Sequence, residues 1–241
     1  MFVFGLKPSR IDILNYINAF KLEENRHIMS LEDAFEGKKG KIVGRVGPMF
    51  AGKSSEVMRL MERREIVLKN RGALEDYSII AFRPANDTRY SLTKIVTHSG
   101  KEMDAVNFTR SDEILDYINS LSGKPDSIYV SEVTFTDSKI IDVIKYCTSN
   151  GINVFYEGLN QTSEGIPFPF TDKDEYGLPV EHIGTLMALT DDLRTLDSVC
   201  TECGSDSASK TFYKHGKKDA LKVGGSDDYE ARCVDCWEPN S

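Results

Sequence analysis

A short run of small residues followed by a lysine carries the clearest chemistry in the chain. Gly47-Pro-Met-Phe-Ala-Gly-Lys-Ser54 fits the pattern G-x-x-x-x-G-K-[ST] and stands between a β-rich run and a helical one. In this arrangement backbone N–H groups surround phosphate oxygens, the helix dipole favours the anion, and Lys53 neutralises its charge. The run predicts a nucleotide site in which Ser54 would hold Mg²⁺. By itself it leaves an ATPase, a GTPase and a small-molecule kinase open.

Four of the five cysteines form two close pairs near the end of the chain, Cys200-Thr-Glu-Cys203 and Cys233-Val-Asp-Cys236. Four thiolates suit tetrahedral Zn²⁺ and leave the ion no open position, so we expect a structural metal rather than a catalytic one. Two disulfides are the alternative, which the odd number of cysteines and the absence of other pairs disfavour. Cys147 stands apart in a predicted helix and is expected to be a core residue.

The composition restricts the class of protein. The chain has 241 residues, a formal net charge of −8 and no apolar run of membrane-spanning length. An acidic balance disfavours nucleic-acid binding through a broad basic face, so neither nucleic acid nor membrane is expected as a partner. The apolar first six residues lack a basic segment and a cleavage pattern, which favours a cytoplasmic protein.

The elements that must position these residues alternate between two periodicities. β-rich runs are predicted at Lys41 to Val46, Ser78 to Phe82, Ser127 to Val130 and Asn153 to Tyr156. Helices are predicted from Lys53 to about Lys69, Ser111 to Asn119 and Ser138 to Ser149. The alternation predicts an α/β fold with a parallel sheet flanked by helices, of the P-loop NTPase type, followed by a small C-terminal zinc-binding lobe.

Three parts follow from this pattern. Residues 1–38 carry capping patterns and one apolar stripe, which predict a helical N-terminal extension that packs on the domain or mediates assembly. Residues 39–198 form the predicted core with the phosphate site. Residues 199–241, rich in Gly, Ser, Asp and Lys and framed by the cysteine pairs, form the predicted zinc lobe.

Together, the run 47–54, Asp87-Thr-Arg-Tyr-Ser91, the four cysteines and Val223-Gly-Gly-Ser-Asp-Asp-Tyr229 resemble the cytosolic-type (type II) thymidine kinase family over about residues 40–237. The resemblance implies an ATP-dependent deoxynucleoside kinase that phosphorylates the 5′-hydroxyl of thymidine for deoxyribonucleotide salvage and DNA synthesis. It also implies ATP, Mg²⁺ and structural Zn²⁺ as cofactors, and a homotetramer. The loop 158–168 would be the lasso, which closes over the nucleoside and is anchored by the zinc lobe.

The resemblance also implies roles for individual residues. Glu132 would take the proton from the 5′-hydroxyl, while Lys53 and Arg89 would stabilise the transferred phosphoryl group. The residues that would bind ATP and its metal are Gly47, Pro48, Met49, Phe50, Ala51, Gly52, Lys53, Ser54, Ser55 and Asp87. Those that would bind the nucleoside are Met49, Phe135, Gly158, Leu159, Phe168, Thr211, Val223, Gly224 and Tyr229. The zinc ligands would be Cys200, Cys203, Cys233 and Cys236.

The chain departs from the family pattern at two places. Ser131 precedes Glu132 where relatives carry an aspartate, so the metal site lacks one negative charge, for which Asp137 and Asp87 are candidate replacements. In the lasso, Asn160, Ser163 and Glu164 stand where relatives commonly have Asp, Phe and Arg. The altered loop leaves open a kinase of deoxyuridine or a 5-modified pyrimidine deoxynucleoside. Both departures leave open a nucleotide-binding relative with impaired catalysis.

Overall fold

A computed structural model describes residues 39–76, 78–86, 93–97, 100–215 and 224–238. All of them belong to the second of the chain's two units, Lys38–Ser241. The predicted helical extension 1–38 lies outside the described residues, and so do Asp87, Arg89 and Val223. In the described part of the chain, no helix combines the length and the apolar character needed to cross a bilayer.

The helices and strands of the described unit follow in chain order. The strands are β1 (Ile42–Gly47), β2 (Ile79–Pro84), β3 (Lys94–Val96), β4 (Glu102–Asp104), β5 (Val106–Phe108), β6 (Ser127–Val130), β7 (Asn153–Leu159), β8 (Asp192–Thr195), β9 (Lys210–Tyr213) and β10 (Tyr229–Arg232). The α-helices are α1 (Lys53–Asn70), α2 (Asp112–Asn119), α3 (Ile140–Ser149) and α4 (Ile183–Ala188), and one 3₁₀ turn spans Val133–Phe135.

The described residues form a parallel sheet of six strands in the order β5-β2-β6-β7-β1-β8. Its central strand β6 is buried throughout, because helices cover both faces. Val57, Met58 and Met61 of α1 pack on the face that carries Tyr129, while α3 contributes to the larger apolar cluster with Ile128. The predicted α/β fold with a parallel sheet is confirmed.

Parallel strands bring the carboxyl ends of β1, β6 and β7 to one edge of the sheet, where α/β proteins bind ligands. The turn 47–54 follows β1, Ser131 and Glu132 follow β6, and the loop that begins after Leu159 follows β7. Because β7 lies between β6 and β1, residues at its end contact both neighbours. This edge therefore collects most of the residues that the sequence marks as functional.

The C-terminal region is built on an antiparallel pair of strands, β9 and β10. Cys200, Ala208, Ala231 and Cys233 form a small buried cluster there, against which Phe50 of the turn 47–54 packs. The region therefore contacts the phosphate turn directly.

Candidate active site

The turn 47–54 has the backbone shape of a phosphate-binding loop. Gly52 adopts a left-handed conformation (φ 73°) at the start of α1, which a residue with a side chain rarely adopts. Lys53 is only 8% exposed, and its ammonium donates a hydrogen bond to the Pro48 carbonyl at 2.7 Å. Ser54 and Ser55 lie in the first turn of α1, and Ala51 completes the loop before Gly52. The lysine ammonium therefore stays inside the loop, where it would neutralise the charge of a bound phosphate.

Two non-glycine residues in the described ranges have a positive φ, Phe50 (65°) and Glu132 (48°). This left-handed conformation is unfavourable for a residue with a Cβ and persists where surrounding contacts hold it. One of the two lies in the phosphate turn and the other at the carboxyl end of β6. Such backbone strain clusters at functional sites, so it supports this sheet edge as the site of chemistry.

A pocket opens beside the phosphate turn. Seven residues that the sequence proposes for nucleoside binding line it: Met49, Phe135, Leu159, Phe168, Thr211, Gly224 and Tyr229. Gln161, Thr162 and Ser163 of the lasso complete its wall. Mostly apolar walls with a few polar groups are typical of small-molecule sites.

The walls of the pocket are held by contacts between distant segments. The backbone N–H of Met49 donates to Thr211 Oγ1 at 3.1 Å, so this amide bonds to the C-terminal region instead of remaining for phosphate. Phe135 and Phe168 meet edge to face, with ring centroids 5.6 Å apart. These contacts join the phosphate turn, the turn after β6, the lasso and β9 around one space.

The lasso lies on the C-terminal region. Gln161 donates to the Ser209 carbonyl at 2.9 Å and accepts from the Lys210 ammonium at 3.0 Å. Gly165 has φ 80°, and a Cβ built there would come within 2.7 Å of the Trp237 ring, so this contact requires glycine. Trp237 in turn donates to the Thr211 carbonyl at 3.2 Å. The metal-ligand region can therefore hold both the lasso and the pocket wall.

Gly158 differs in position from the seven pocket-lining residues proposed for nucleoside binding. It lies inside β7, and a Cβ there would meet Val133 and Thr134 at 3.1 and 3.2 Å. Gly158 thus allows the turn after β6 to pack against β7, and it does not line the pocket.

Ser131 and Glu132 share a partner that sequence reasoning missed, Glu157 of β7. Glu157 Oε1 accepts hydrogen bonds from Ser131 Oγ at 2.9 Å, from the Glu132 backbone N–H at 2.9 Å and from the Tyr129 hydroxyl at 3.3 Å. Burial raises the pKa of Glu157 to about 7; the charge of Glu132 acts in the same direction and that of Lys53 against it. Glu157 therefore fixes the turn that carries Glu132.

The signal that could have revealed Glu157 is a carboxylate inside an apolar run. The sequence prediction ended this strand at Tyr156, whereas β7 continues to Leu159 and takes Glu157 into the sheet. A charged residue in a strand that is paired on both sides is rarely buried without a specific role or partner.

Asp137, a candidate to replace the missing aspartate, is engaged elsewhere. Its carboxylate accepts hydrogen bonds from the backbone N–H of Ser111 at 2.9 Å and of Lys139 at 3.1 Å. These bonds hold the starts of α2 and α3 and leave Asp137 a structural role. The other candidate, Asp87, lies beyond the described residues.

The four paired cysteines form one cluster, with their Sγ atoms all within 4.8 Å of one another. Backbone N–H groups of Cys233 and Cys203 lower the pKa of Cys200 to about 6, whereas hydrogen bonds with the Cys203 and Cys233 thiols raise that of Cys236 to about 12. The thiols therefore do not all ionise together without a cation. A tetrahedral Zn²⁺ fits this donor set, and its charge would allow all four thiols to ionise together. Cys147 is buried and separate, as expected.

The parallel sheet has a phosphate turn at its carboxyl edge and a pocket beside that turn, which define a P-loop nucleotide-binding fold. The C-terminal lobe adds a four-cysteine cluster that fits a zinc ion. The profile of one family, described as thymidine kinase, matches residues 40–237. The chain belongs to the thymidine kinase family.

Among solved structures, the X-ray structure of the Legionella pneumophila ATPase DotB aligns with 15% sequence identity and a TM-score of 0.31. The alignment covers 55% of this chain and 33% of that one, so the chain spans about a third of the length of DotB.

Proposed function

We propose that the protein transfers the γ-phosphoryl group of ATP to the 5′-hydroxyl of thymidine, giving ADP and thymidine monophosphate. One observation carries the proposal: Met49 belongs to the phosphate turn and also lines the pocket. A nucleoside in this pocket would lie next to the phosphate turn, as phosphoryl transfer requires. By family resemblance, we further propose that the protein is a cytoplasmic homotetramer that takes part in deoxyribonucleotide salvage.

The place of Glu132 in the chain fold supports its assignment as the general base. Its carbonyl accepts a hydrogen bond from the Phe135 backbone N–H at 2.9 Å, and Phe135 lines the pocket. Glu132 therefore stands where the turn leads from the end of β6 to the base pocket. We propose that the Glu132 carboxylate accepts the proton of the 5′-hydroxyl. The proton leaves as the 5′-oxygen forms its bond to the γ-phosphorus, and the bond from the γ-phosphorus to the β-phosphate oxygen breaks.

Lys53 and the amides of the phosphate turn would bind and orient the triphosphate, and Arg89 is proposed to neutralise the transferred group. The residues that would hold Mg²⁺ are Ser54 and Ser131, whose hard oxygen atoms suit this cation. Bound there, Mg²⁺ would offset the negative charge of the β- and γ-phosphates.

A second substrate class is favoured by Ser163. Its small side chain lines the pocket where relatives commonly place an aromatic ring, which leaves room near the base. The protein would then also accept a pyrimidine deoxynucleoside with a bulkier 5-substituent.

A substrate panel tests both assignments. We expect transfer from radiolabelled ATP to thymidine with a higher kcat/KM than to deoxyuridine or deoxycytidine, and transfer to 5-bromodeoxyuridine as well. Ser163→Phe is the matched variant. It should retain activity on thymidine and lose activity, relative to thymidine, on nucleosides with bulkier 5-substituents. A preference for deoxycytidine would contradict the assignment, and ATP binding without transfer to any pyrimidine nucleoside would favour a catalytically impaired relative.

A further inference from the structure

One buried carboxylate oxygen beside the phosphate turn has no role in the chemistry above. Glu157 is fully buried, and its Oε1 atom accepts the three hydrogen bonds from Ser131, Glu132 and Tyr129. Its Oε2 atom has no hydrogen-bond partner among the described residues. Burying a carboxylate oxygen without a partner is unfavourable, so a carboxylate placed here is expected to serve a purpose beyond its own hydrogen bonds.

Strand register places Glu157 on the side of the sheet that faces the phosphate helix. Arg45 of β1 pairs with Glu157 of β7, so the two side chains share one face. On that face Arg45 lies 3.9 Å from Glu56 in the first turn of α1. Glu157 therefore lies on the face covered by the start of α1, where Lys53 and Ser54 begin the helix.

Two further interactions tie Glu157 to the nucleotide site. Lys53, the buried lysine of the phosphate turn, interacts electrostatically with the Glu157 carboxylate. The Tyr129 hydroxyl, which bonds to Glu157, also interacts with the Ser54 hydroxyl. The carboxylate is thus one side chain away from the serine that would bind the metal.

The Ser131 side chain connects the carboxylate to the position where a negative charge is missing. Ser131 Oγ donates its hydrogen to Glu157 Oε1, which leaves the serine lone pairs available to a cation. Mg²⁺ is usually bound through one or two carboxylates in addition to phosphate oxygens and water. A serine oriented by a carboxylate behind it supplies both an oxygen ligand and a charge.

We propose that Glu157 replaces the carboxylate absent at position 131, and that Ser131 and Glu157 together hold the Mg²⁺ that accompanies ATP. The inference rests on nucleotide binding in the proposed function, but not on the identity of the nucleoside. Glu157 acts as a positioning residue through its Oε1 atom, and its charge strengthens cation binding.

Charge relocation tests the proposal. Glu157→Gln keeps an oxygen for the three hydrogen bonds and removes the charge. The double variant S131D/E157Q returns the charge to position 131. Asp126→Asn is the control, because Asp126 is a partly buried carboxylate just before β6, at the opposite end of that strand from Ser131. Titration with a fluorescent ATP analogue, at fixed and varied Mg²⁺, measures the metal dependence of ATP affinity without any turnover.

We expect E157Q to weaken Mg²⁺ binding by about 10- to 100-fold, as loss of a supporting carboxylate usually does, with little change in ATP affinity in the absence of metal. The double variant should regain most of the metal dependence, and D126N, although less stable, should show the same Mg²⁺ dependence as the unmodified protein. Unaltered Mg²⁺ dependence in E157Q would overturn the proposal. So would a folded double variant that regains none of it, because a purely structural Glu157 predicts no rescue by an aspartate at position 131.

Thermal unfolding separates these results from loss of structure. If E157Q does not fold, the double variant and the conservative Glu157→Asp still decide the outcome: metal dependence in both supports the proposal, and its absence in both contradicts it. Nucleoside turnover, measured separately, tests the proposed function, so an error in the nucleoside leaves the Mg²⁺ result unaffected.

Discussion

Glu132 combines a left-handed backbone conformation with a position between the end of β6 and the turn that leads to the pocket. Its left-handed conformation is held by the hydrogen bond from its own N–H to Glu157, and its carbonyl begins the turn to Phe135. At the scale of single residues, the proposed reaction depends on how rigidly this turn presents the Glu132 carboxylate. Glu157 supplies that rigidity from the neighbouring strand.

Replacing Glu132 by Gln should separate binding from chemistry. The amide keeps the size of the side chain but cannot accept the proton of the 5′-hydroxyl, so turnover should fall by about 10²- to 10⁴-fold. ATP affinity should remain nearly unchanged, which the fluorescent analogue measures. Asp142→Asn is the control, because Asp142 is an exposed carboxylate of α3 and should tolerate the change. Full activity in E132Q would remove the base assignment.

At the scale of elements, α1 is attached to the sheet by an ion pair far from the site. Arg64 of α1 donates to both carboxylate oxygens of Asp126, at 2.6 and 2.5 Å, just before β6. Burial acts to raise the pKa of Asp126, but the hydrogen bonds from Arg64 and Ser127 outweigh it, so the pKa lies below its usual value. The pair fixes the helix that carries the phosphate turn.

This lowered pKa predicts a pH-dependent contribution to stability. A carboxyl whose pKa is lower in the folded state stabilises the protein above its unfolded pKa of about 3.9, and the contribution disappears as pH falls through the folded pKa. Asp126→Asn should therefore lower the free energy of unfolding by about 1–3 kcal/mol at neutral pH. The difference from the unmodified protein should shrink below about pH 4.

Urea unfolding of both proteins at each pH measures this difference. Loss of metal in acid affects both alike and cancels in the comparison. A difference that stays constant from neutral pH to below the folded pKa would show that the ion pair does not contribute as a charged group.

The elements themselves were predicted unevenly. Strand β6 has the bounds that its apolar run predicts, and α1 differs by one residue at its end, because a long apolar stripe and a buried strand are strong local signals. β5 and β8 were not predicted, since strands of three and four residues with exposed positions carry little periodicity. They gain their conformation by pairing with β2 and β1.

At the scale of the whole molecule, the cysteine cluster joins segments that lie far apart in sequence. Phe50 packs against this cluster, Thr211 bonds to Met49, and Trp237 contacts Gly165 of the lasso. The region that would bind zinc therefore supports both the phosphate turn and the pocket beside it. Loss of the metal should affect substrate binding although the ion performs no chemistry.

Removal of zinc tests this connection. We expect one Zn²⁺ per chain, and a strong chelator should lower the thermal unfolding temperature and abolish thymidine binding, because structural zinc contributes directly to folding. Cys233→Ser should have the same effect. Cys147→Ser is the control, since Cys147 is buried far from the cluster in sequence and should leave the zinc content at one per chain. Full thymidine affinity in a zinc-free protein would contradict the supporting role.

The sequence by itself determined the local chemistry of this protein. The phosphate turn and the cysteine pairs consist of residues close together in the chain, so their spacing alone predicts what they can bind. The alternation of β-rich and helical runs was sufficient for the α/β fold.

Only the tertiary structure decided which distant residues meet. Ser131 and Glu157 are 26 positions apart, and they touch because β6 and β7 are neighbours in one register. Met49 and Thr211 are 162 positions apart, and they share the pocket because the C-terminal region packs on the phosphate turn. Strand order and register depend on the packing of the whole sheet, and no local periodicity encodes them.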